Sequence, residues 1–562
     1  MPILEWLNKG EATKVTKKLP YRILKANSEL SYGEQSENMI IKGDNLEALQ
    51  ALLPYYKGQA KCIYIDPPYN TGNAFEYYDD NLAHSTWLSL IYPRLELLRE
   101  LLAENGVLFV QIDDDEMAYM KVLLDEIMGR NNFVNQVSVK MKQMAGASGG
   151  GEDKRLKKNL EYILVYAKNY ETLPLFNPVY EYTEMYDVVQ TYKNTGKTWH
   201  YTSVLVDEGK KEYVASTKDG NGDEIKIYKR LSPVIKSINQ IMKDENITEK
   251  EVYYKYHNRI FEAKDAQTSI RTRVYEAKHQ YGIKEDLISI EYVPKSGKNK
   301  GVISEQFYKG DKCRLFAWLS SIGTTIDGVL YKKDLQGTYW DFTQHLNNLT
   351  KEGQVRFPNG KKPEALVERI LSLATNEGDL VLDSFLGSGT TCAVAQKMGR
   401  RYIGIEMGEH AITHCVPRMK AVIDGEQGGI SKAVHWKGGG GYTFYDLGET
   451  IFDEDGSINK EVDFRTLASH IWFTETKTSL TDYEKSPLLG IHNGVAYYLL
   501  FNGILGDKKP DGGNVLTQKV FDTLPQYNGK KVIYGEATRM NTEKLKANNI
   551  VFKQTPYDVK AR

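Results

Sequence analysis

The chain has 562 residues, too many for one ordinary hydrophobic core, so we expect two to four packing units. Hydrophobic residues make up 41% and charged residues 26%, the balance of an ordinary soluble globular protein, and the sequence has no apolar stretch long enough for a membrane span. Because 73 Lys and Arg residues offset 74 Asp and Glu residues, overall charge does not indicate a nucleic-acid partner. Any nucleic-acid surface must come from local clustering.

Two common signals are absent from the sequence. Residues 1–25 are polar and lack the apolar core of a signal peptide, so we expect a cytoplasmic protein. The cysteines are scattered without a CxxC pair and predict neither a metal site nor a disulfide framework; they are Cys62, Cys313, Cys392 and Cys415. We expect them to be small buried side chains.

Residues 38–130 alternate strand-like and helix-like patterns. Predicted strands cover residues 39–42, 62–65 and 106–112, and predicted helices cover residues 45–53 and 87–102. Because helices alternate with short apolar strands, we expect a parallel sheet with helices on its faces.

From about Ala167 to Tyr331 the chain becomes polar and rich in Tyr and Lys with weak periodicity, which is typical of an insertion. The alternating pattern then resumes, with predicted helices over 363–375 and 390–398 and predicted strands over 380–385 and 401–406. The glycine run at 438–441 marks a turn or boundary, and the residues from about 450 onward mix strands and helices without a motif. The pattern predicts one α/β domain made of two separated segments, followed by a smaller C-terminal region.

The segment Asp379–Thr391 is a buried strand that leads into a glycine-rich turn and a helix start. Gly387 and Gly389 allow a ligand to approach the backbone, and Glu406 ends the next strand, where it can accept hydrogen bonds from ribose hydroxyls. Position 392 is Cys where a nicotinamide-binding fingerprint has its third glycine, which disfavours a dehydrogenase. The order predicts a nucleoside-containing cofactor, while the plain alternative is a tight turn without a ligand.

The segment Lys61–Tyr69 is a strand that ends in two prolines. The prolines stop the strand, so the Asp66 carboxylate and the carbonyl oxygens are available as acceptors at the carboxyl edge of the sheet. Two such acceptors can hold both hydrogens of an exocyclic amine, and Tyr69 can stack on an extruded base. The alternative is a simple turn after a strand, which is the usual role of an Asp-Pro pair.

Together, Asp66-Pro67-Pro68-Tyr69 and Phe385-Leu-Gly387-Ser-Gly389 resemble the amino-methyltransferases that act on DNA, in the motif order of their circularly permuted beta class. Further segments resemble the modification subunits of type III restriction-modification systems: residues 38–49, 70–75, 111–114, 267–271, 355–364 and 434–441. The resemblance covers most of the chain. It implies a doubly wound, Rossmann-like methyltransferase fold that uses S-adenosylmethionine.

The resemblance also implies roles for individual residues. Asp66, Pro67, Pro68 and Tyr69 would act on N6 of a flipped-out adenine in double-stranded DNA. The cofactor would be bound by Asp383, Phe385, Gly387, Gly389, Thr390 and Glu406, and its methionine end by Asp44, Asn45, Lys362 and Pro363. The segment Gly43-Asp44-Asn45 also serves as a plain helix N-cap. No metal site is expected.

The family organisation implies domains and partners. Residues 1–37 would form an N-terminal arm, 38–168 the catalytic half, 169–330 a target-recognition domain, 331–435 the cofactor half and 436–562 a C-terminal α/β domain. The family works as a homodimer with a separate ATP-dependent restriction subunit. No ATP site of its own is predicted here, because Thr191 stands where a P-loop before Gly196-Lys197-Thr198 needs glycine.

Four alternatives stay open. Cytosine N4 poses the same chemical problem as adenine N6, and RNA or protein glutamine methyltransferases use a similar acceptor turn. The chain can also be an orphan methyltransferase or a non-catalytic specificity subunit. The DNA sequence that the protein recognises cannot be inferred from the amino-acid sequence. The basic residues of the insertion that we expect to contact DNA phosphates are Arg271, Arg273, Lys278, Lys284, Lys295, Lys298 and Lys300.

Overall fold

A computed structural model describes residues 3–70, 83–142, 158–220, 222–295, 300–357, 360–453, 457–480 and 484–559. Its contacts divide the chain into two compact units. The first comprises Met1–Asn177 and Gly337–Arg562, and the second is Pro178–Gln336. The second unit overlaps the insertion that the sequence indicates over 169–330.

The described residues of the first segment of the first unit form four α-helices and six strands. The helices are α1 (Lys9–Lys18), α2 (Asn45–Tyr56), α3 (His84–Leu101) and α4 (Met117–Leu124). The strands are β1 (Arg22–Gly33), β2 (Met39–Lys42), β3 (Ala60–Ile65), β4 (Leu102–Ile112), β5 (Phe133–Lys140) and β6 (Leu160–Ala167).

The second unit is mainly antiparallel sheet. Its strands are β7 (Tyr180–Glu184), β8 (Ser203–Asp207), β9 (Lys210–Lys218), β10 (Glu224–Leu231), β11 (Val234–Ser237), β12 (Ile260–Lys264), β13 (Leu287–Tyr292), β14 (Ser304–Lys309), β15 (Arg314–Trp318), β16 (Gly323–Ile326) and β17 (Val329–Leu335). Its helices are α5 (Met185–Asn194), α6 (Ile238–Glu245), α7 (Glu249–Lys255), α8 (Ser269–Gln280) and α9 (Leu319–Ile322). One sheet runs β11-β8-β12-β15-β14-β13-β10-β9 and another β16-β17-β7. Both contribute to one apolar cluster, which includes Val204 and Ile260 of the first sheet and Leu330 of the second.

The returning segment completes the first unit. Its strands are β18 (Tyr339–Asp341), β19 (Leu380–Asp383), β20 (Arg401–Glu406), β21 (Gly441–Thr450), β22 (Leu488–His492), β23 (Val495–Leu499), β24 (Val515–Leu516), β25 (Lys530–Gly535), β26 (Ala537–Thr538) and β27 (Ile550–Gln554). Its helices are α10 (Glu364–Ala374), α11 (Thr390–Lys397), α12 (Val416–Ile423), α13 (Phe464–Thr476), α14 (Gln518–Thr523) and α15 (Thr542–Ala547). The last part forms a small sheet in the order β22-β23-β25-β27 beside the pair β24-β26.

The main sheet of the first unit runs β1-β21-β2-β20-β19-β3-β4-β6-β5-β18. The neighbours from β21 to β4 are parallel, while β1 and β6 pair antiparallel to them. Strands β3 and β19, one from each segment, are direct neighbours at the centre.

Helices cover both faces of this sheet. Ile41 and Ile63 face the cluster that includes Leu49 of α2 and Trp87 of α3. Alternate strand residues such as Cys62 face the opposite cluster, which holds side chains of α10, α11 and α12. Because successive strand residues point to opposite faces, both sides of the apolar strands are buried. The predicted doubly wound α/β fold is confirmed.

The described helices include none that is long and apolar enough to cross a membrane. All four cysteines are free and buried, as the sequence predicts. Three features singled out above lie outside the described residues: positions 71–75 and 358–359 of the resembling segments, and Lys298.

Candidate active site

The carboxyl ends of four neighbouring parallel strands carry the predicted site residues. In the order β2-β20-β19-β3, these ends lead into Asp44, Glu406, the glycine turn and Asp66. Register supports this alignment, because Lys42 pairs with Glu406 and Val381 pairs with Cys62. The structure therefore gathers the two distant motifs at one edge of the sheet, where open α/β sheets bind ligands.

The turn after β3 is held by hydrogen bonds at both ends. The Tyr69 hydroxyl donates to Asp66 Oδ1 at 2.5 Å. The Trp87 indole Nε1 donates to the Pro68 carbonyl at 2.8 Å. This corrects the expectation that both proline carbonyls are available, because the carbonyl of Pro68 is occupied. Among the described residues, none donates to the Pro67 carbonyl.

Two charged side chains complete the turn, Glu161 from strand β6 and Lys362 from the connection before α10. Lys362 Nζ lies 2.9 Å from the Tyr69 hydroxyl, 3.0 Å from Glu161 Oε2 and 3.3 Å from Asp66 Oδ2. Glu161 Oε2 also accepts from the Tyr69 hydroxyl at 3.0 Å. We call Asp66, Tyr69, Glu161 and Lys362 the catalytic cluster.

Burial and charge act in opposite directions on the catalytic cluster. Burial raises the pKa of Asp66 to about 6, although Lys362 lowers it. Burial alone would lower the pKa of Lys362, but Asp66 and Glu161 raise it to about 12. Burial also opposes ionisation of Glu161, but Lys362 and Gln111 bring the pKa of its carboxyl below the ordinary value. The ammonium is thus firmly charged, whereas Asp66 titrates nearest to neutral pH.

The glycine turn is a tight structure around two carboxylates. Gly387 and Gly389 have φ of 55° and 83°, a region that favours glycine. The Gly387 amide donates to Glu406 Oε2 at 2.7 Å, and Glu406 is fully buried. Asp383 accepts from the Phe385 amide at 2.9 Å and from the Thr391 hydroxyl at 2.5 Å, and burial raises its pKa to about 7.

Asp44 and Asn45 are fixed by an arginine that the sequence did not single out. Asp44 caps α2 by accepting from the Leu46 amide at 2.8 Å, as the N-cap interpretation predicts. Arg94 NH2 binds the Asp44 oxygens at 3.1 and 3.2 Å, and Arg94 Nε donates to Asn45. Asn45 in turn donates to the Ser384 carbonyl at 2.7 Å, which joins α2 to the glycine turn.

Thr390 connects the glycine turn to Lys362. Its hydroxyl donates to the Lys362 carbonyl at 3.3 Å and accepts from Arg418 NH1 at 2.8 Å. Pro363 is the N-cap residue of α10, so Lys362 sits immediately before that helix. Lys362 therefore contacts both halves of the site, the glycine turn through its carbonyl and the proline turn through its side chain.

Arg418 belongs to a second buried group of charges behind the glycine turn. Lys397 Nζ lies 2.7 Å from Glu364 Oε2 and also binds Glu426, while Arg418 NH2 binds Glu364 Oε1 at 2.9 Å. We call Lys397, Arg418, Glu364 and Glu426 the scaffold cluster. It has two positive and two negative groups, with Glu352 at its edge 3.9 Å from Arg418, and Arg418 also donates to the hydroxyls of Thr390 and Ser388 in the glycine turn.

Glu161, Arg94 and Arg418 were missed by the sequence analysis. A charged residue within an apolar strand or helix face is rarely buried without a partner, so each position carried a signal. Glu161 interrupts the apolar pattern of β6, and Arg94 lies among the leucines of α3. The partner of each comes from a distant segment.

Two of the predicted phosphate-binding residues of the second unit are used within that unit. Arg271 donates to the carbonyls of Lys312 and Cys313, and Lys278 is buried and donates to the Gly310 carbonyl. These contacts satisfy their donors internally, so we remove both from the predicted DNA surface. Lys284 and Lys300 are exposed, and Lys295 pairs with Asp223 at 2.5 Å.

The chain is similar in sequence to several known proteins. The chain is 44% identical to the probable type III restriction-modification enzyme HindVI Mod subunit of Haemophilus influenzae, over 81% of this chain and 60% of that protein. It is 28% identical to the EcoPI Mod subunit of Escherichia phage P1, over 71% and 62%, and 27% identical to the EcoP15I Mod subunit of Escherichia coli, over 69% and 61%. The chain thus spans about three fifths of the length of these relatives.

A family model also matches the region that holds the site. The model describes a DNA methylase and matches residues 60–416, from the start of β3 to the start of α12. This range includes the proline turn, Glu161, Lys362 and the glycine turn. As the match covers more than half of the sequence, the chain belongs to the DNA methylase family.

Proposed function

We propose that the protein transfers a methyl group from S-adenosylmethionine to N6 of a flipped-out adenine in double-stranded DNA, as the modification subunit of a type III restriction-modification system. One observation carries the proposal: the half-buried acceptor turn Asp66–Tyr69 lies at the same sheet edge as the glycine turn, and the two are linked through Lys362 and Thr390. Similarity to the type III Mod subunits supports the type of system.

The residues around the glycine turn fit this cofactor. A Cβ added at Gly387 would meet no atom within 4 Å, so its backbone borders open space, and the Glu406 carboxylate lies beside it. A carboxylate oxygen accepts more than one hydrogen bond, so Glu406 retains capacity for ribose hydroxyls. When bound, the cofactor supplies an electrophilic methyl group on a positively charged sulfur.

We assign the other predicted cofactor residues to two roles. Asp44 and Asn45, with Lys362 and Pro363, would border the methionine end, because Asn45 is bonded to the Ser384 carbonyl of the turn and the Lys362 carbonyl is bonded to Thr390. Asp383 and Thr390 shape the turn, since their side chains bind Phe385, Thr391 and Arg418. Phe385 is buried beside them and would line the cofactor pocket.

The acceptor turn would activate the amine. Asp66 and the Pro67 carbonyl are the two acceptors, because the Pro68 carbonyl is bonded to Trp87. Each accepts one amine hydrogen, so the nitrogen lone pair is freed from the ring for attack on the methyl group. As the nitrogen gains the methyl group, the methyl–sulfur bond would break and its electron pair would stay on sulfur. The Asp66 carboxylate would stabilise the positive charge that develops on the nitrogen and then take the departing proton. Tyr69 would stack on the base with its ring fixed through its hydroxyl.

We also propose the partners that accompany this function. The exposed basic residues of the second unit, Lys284 and Lys300 among them, would contact DNA phosphates in a target-recognition role. We propose a homodimer and a separate restriction subunit as in the family, located with DNA in the cytoplasm. Co-purification with a co-expressed restriction subunit tests the second association.

The decisive experiment is expression in a host without DNA methylation, followed by sequencing that detects modified bases at single-base resolution. We expect N6-methyladenine at one short motif, and no modification in a parallel culture that expresses Asp66→Ala. N4-methylcytosine at a motif would transfer the same mechanism to cytosine. Unmodified DNA from soluble wild-type protein would contradict the proposal and favour a non-catalytic specificity subunit.

A further inference from the structure

We infer that Glu161 and Lys362 form a coupled pair of positioning residues, which hold Asp66 as a hydrogen-bond acceptor and leave the catalytic cluster with one net negative charge. The inference rests on the proposed function and deepens it. Neither residue belongs to the proline turn or to the glycine turn.

Geometry places both residues directly on the acceptor turn. Lys362 Nζ is within 3.3 Å of Asp66 Oδ2 and 3.0 Å of Glu161 Oε2, so a single ammonium is shared by two carboxylates. The Tyr69 hydroxyl is held by three groups: its proton is shared by Asp66 and Glu161, and its oxygen accepts from Lys362. Moving any one of these groups therefore changes the position of the others.

Glu161 is itself firmly held. Gln111 Nε2 donates to Glu161 Oε2 at 2.5 Å, and the Tyr64 hydroxyl donates to Gln111 Oε1 at 2.7 Å. Gln111 lies on β4 and Glu161 on its antiparallel neighbour β6. The sheet itself thus fixes the second carboxylate beside the turn.

The net charge of the catalytic cluster explains why Asp66 has two charged neighbours rather than one. Lys362 alone beside Asp66 would keep the carboxylate ionised but would also repel the positive charge that develops on the amine. Glu161 offsets that repulsion, so two carboxylates and one ammonium leave a net charge of −1 around the reacting nitrogen. The other titratable groups near Asp66 are Tyr64, Tyr69 and Asp383. The two tyrosines are neutral at working pH because burial raises the pKa of both, and burial raises the pKa of the Asp383 carboxyl to about 7, so it adds negative charge only as the pH rises through that value.

We expect removal of Lys362 and removal of the Glu161 charge to shift the pKa of Asp66 in opposite directions. Without Lys362, the remaining negative charge favours protonation, so the acid limb of the activity profile moves to higher pH. Without the charge of Glu161, the lysine acts on Asp66 alone and the acid limb moves to lower pH. A merely structural role would lower the rate at every pH without moving the limb.

The test is the pH profile of methyl transfer from tritiated S-adenosylmethionine to unmethylated genomic DNA, for the wild type, Lys362→Met and Glu161→Gln. We expect the acid limb to move up by about one pH unit or more in Lys362→Met and down by about one unit in Glu161→Gln. We also expect the plateau of Glu161→Gln to fall about tenfold. In Lys362→Arg the acid limb should return to its wild-type pH, because arginine restores the positive charge.

Lys140→Met is the matched control. Lys140 lies on β5, where its ammonium pairs with Asp341 at 2.8 Å, and across the strand pair it lies opposite Leu160 whereas Val139 lies opposite Glu161. The profile of this variant should match the wild type. Glu161→Gln keeps the shape of the side chain, so it decides the question even if Lys362→Met fails to fold. If the wild type is active and the acid limb of Glu161→Gln lies at the wild-type pH, this inference is wrong and the proposed function stands. If the wild type is inactive at every pH, both the proposed function and this inference are wrong.

Discussion

The catalytic cluster and the scaffold cluster are two groups of charged side chains near the start of helix α10, but their charges are balanced differently. The scaffold cluster balances Lys397 and Arg418 against Glu364 and Glu426, and the first three side chains are 0% exposed. The catalytic cluster sets one lysine against two carboxylates, and the Asp66 side chain is 19% exposed. Buried charge is thus neutralised where it supports the fold and left unbalanced where chemistry is proposed.

The difference has a physical basis. A buried ion without a partner costs several kcal/mol, so a fully buried cluster is stable only when its charges and hydrogen bonds are matched. The catalytic cluster borders an open edge of the sheet, where water lowers the cost of the extra negative charge. Four predictions test whether the two clusters separate activity from stability.

Asp66→Ala should have the largest effect on activity. It removes the acceptor that holds the amine, so methyl transfer should fall by about a hundredfold or more. Stability should be retained, because Lys362 and Glu161 are then balanced one to one. Radiolabel transfer and the melting temperature measure the two effects, and cofactor affinity by calorimetry should stay within a few-fold of wild type. A large drop in melting temperature would contradict the separation.

Lys397→Met should have the largest effect on stability. It leaves the buried Glu426 carboxylate without its ammonium partner, and breaking a buried pair costs about 3–5 kcal/mol. Denaturant unfolding followed by circular dichroism measures the loss. Lys18→Met is the control, because the ion pair of Lys18 with Glu11 at 3.6 Å is exposed and should contribute nothing measurable. Equal stability of the two variants would remove the distinction between the clusters.

Arg94→Leu should have an intermediate effect on cofactor binding. It frees Asp44 and Asn45, whose hydrogen bonds to the guanidinium are worth about 1.5–3 kcal/mol each where a charged group is involved, so affinity should fall about tenfold or more. Arg99→Leu, on the more exposed end of the same helix, is the control. Calorimetric titration with S-adenosylmethionine distinguishes them, and equal affinities would show that Asp44 is not a cofactor residue.

The pH dependence of the wild type should be the smallest effect. Burial raises the pKa of Asp66 to about 6, so the carboxylate becomes protonated, and loses acceptor capacity, as pH falls through that value. Activity should be about half of its plateau near pH 6 and fall about tenfold for each further unit. A profile that stays flat down to pH 5 would place another group in the role of Asp66.

Much of the fold around the site was predictable because its signals are local. The strand over 401–406 was predicted at its observed bounds, and the helix predicted over 390–398 ends one residue earlier, at Lys397. The helix predicted over 45–53 continues to Tyr56 through Pro54. Asp66 and Gly387 were identifiable because contiguous residues define their turns.

The remaining features depend on pairings between distant residues. Glu161 reaches Lys362 only because β6 turns back antiparallel beside β4, and no local pattern gives that strand order. The second unit looked weakly periodic because its exposed sheet faces are polar, although it folds into regular antiparallel strands. Sequence patterns thus indicated the two turns and Lys362 but missed Glu161, Arg94 and Arg418, whose partners lie in distant segments.

The central pairing of β3 with β19 has a consequence for synthesis of the protein on the ribosome. The two strands lie on opposite sides of the second unit in the chain, so β3 emerges long before its neighbour exists. The second unit has apolar clusters of its own and can fold as soon as β17 is made, whereas the main sheet must wait for β19 and β20. An unfinished chain therefore carries a folded insertion but no assembled site.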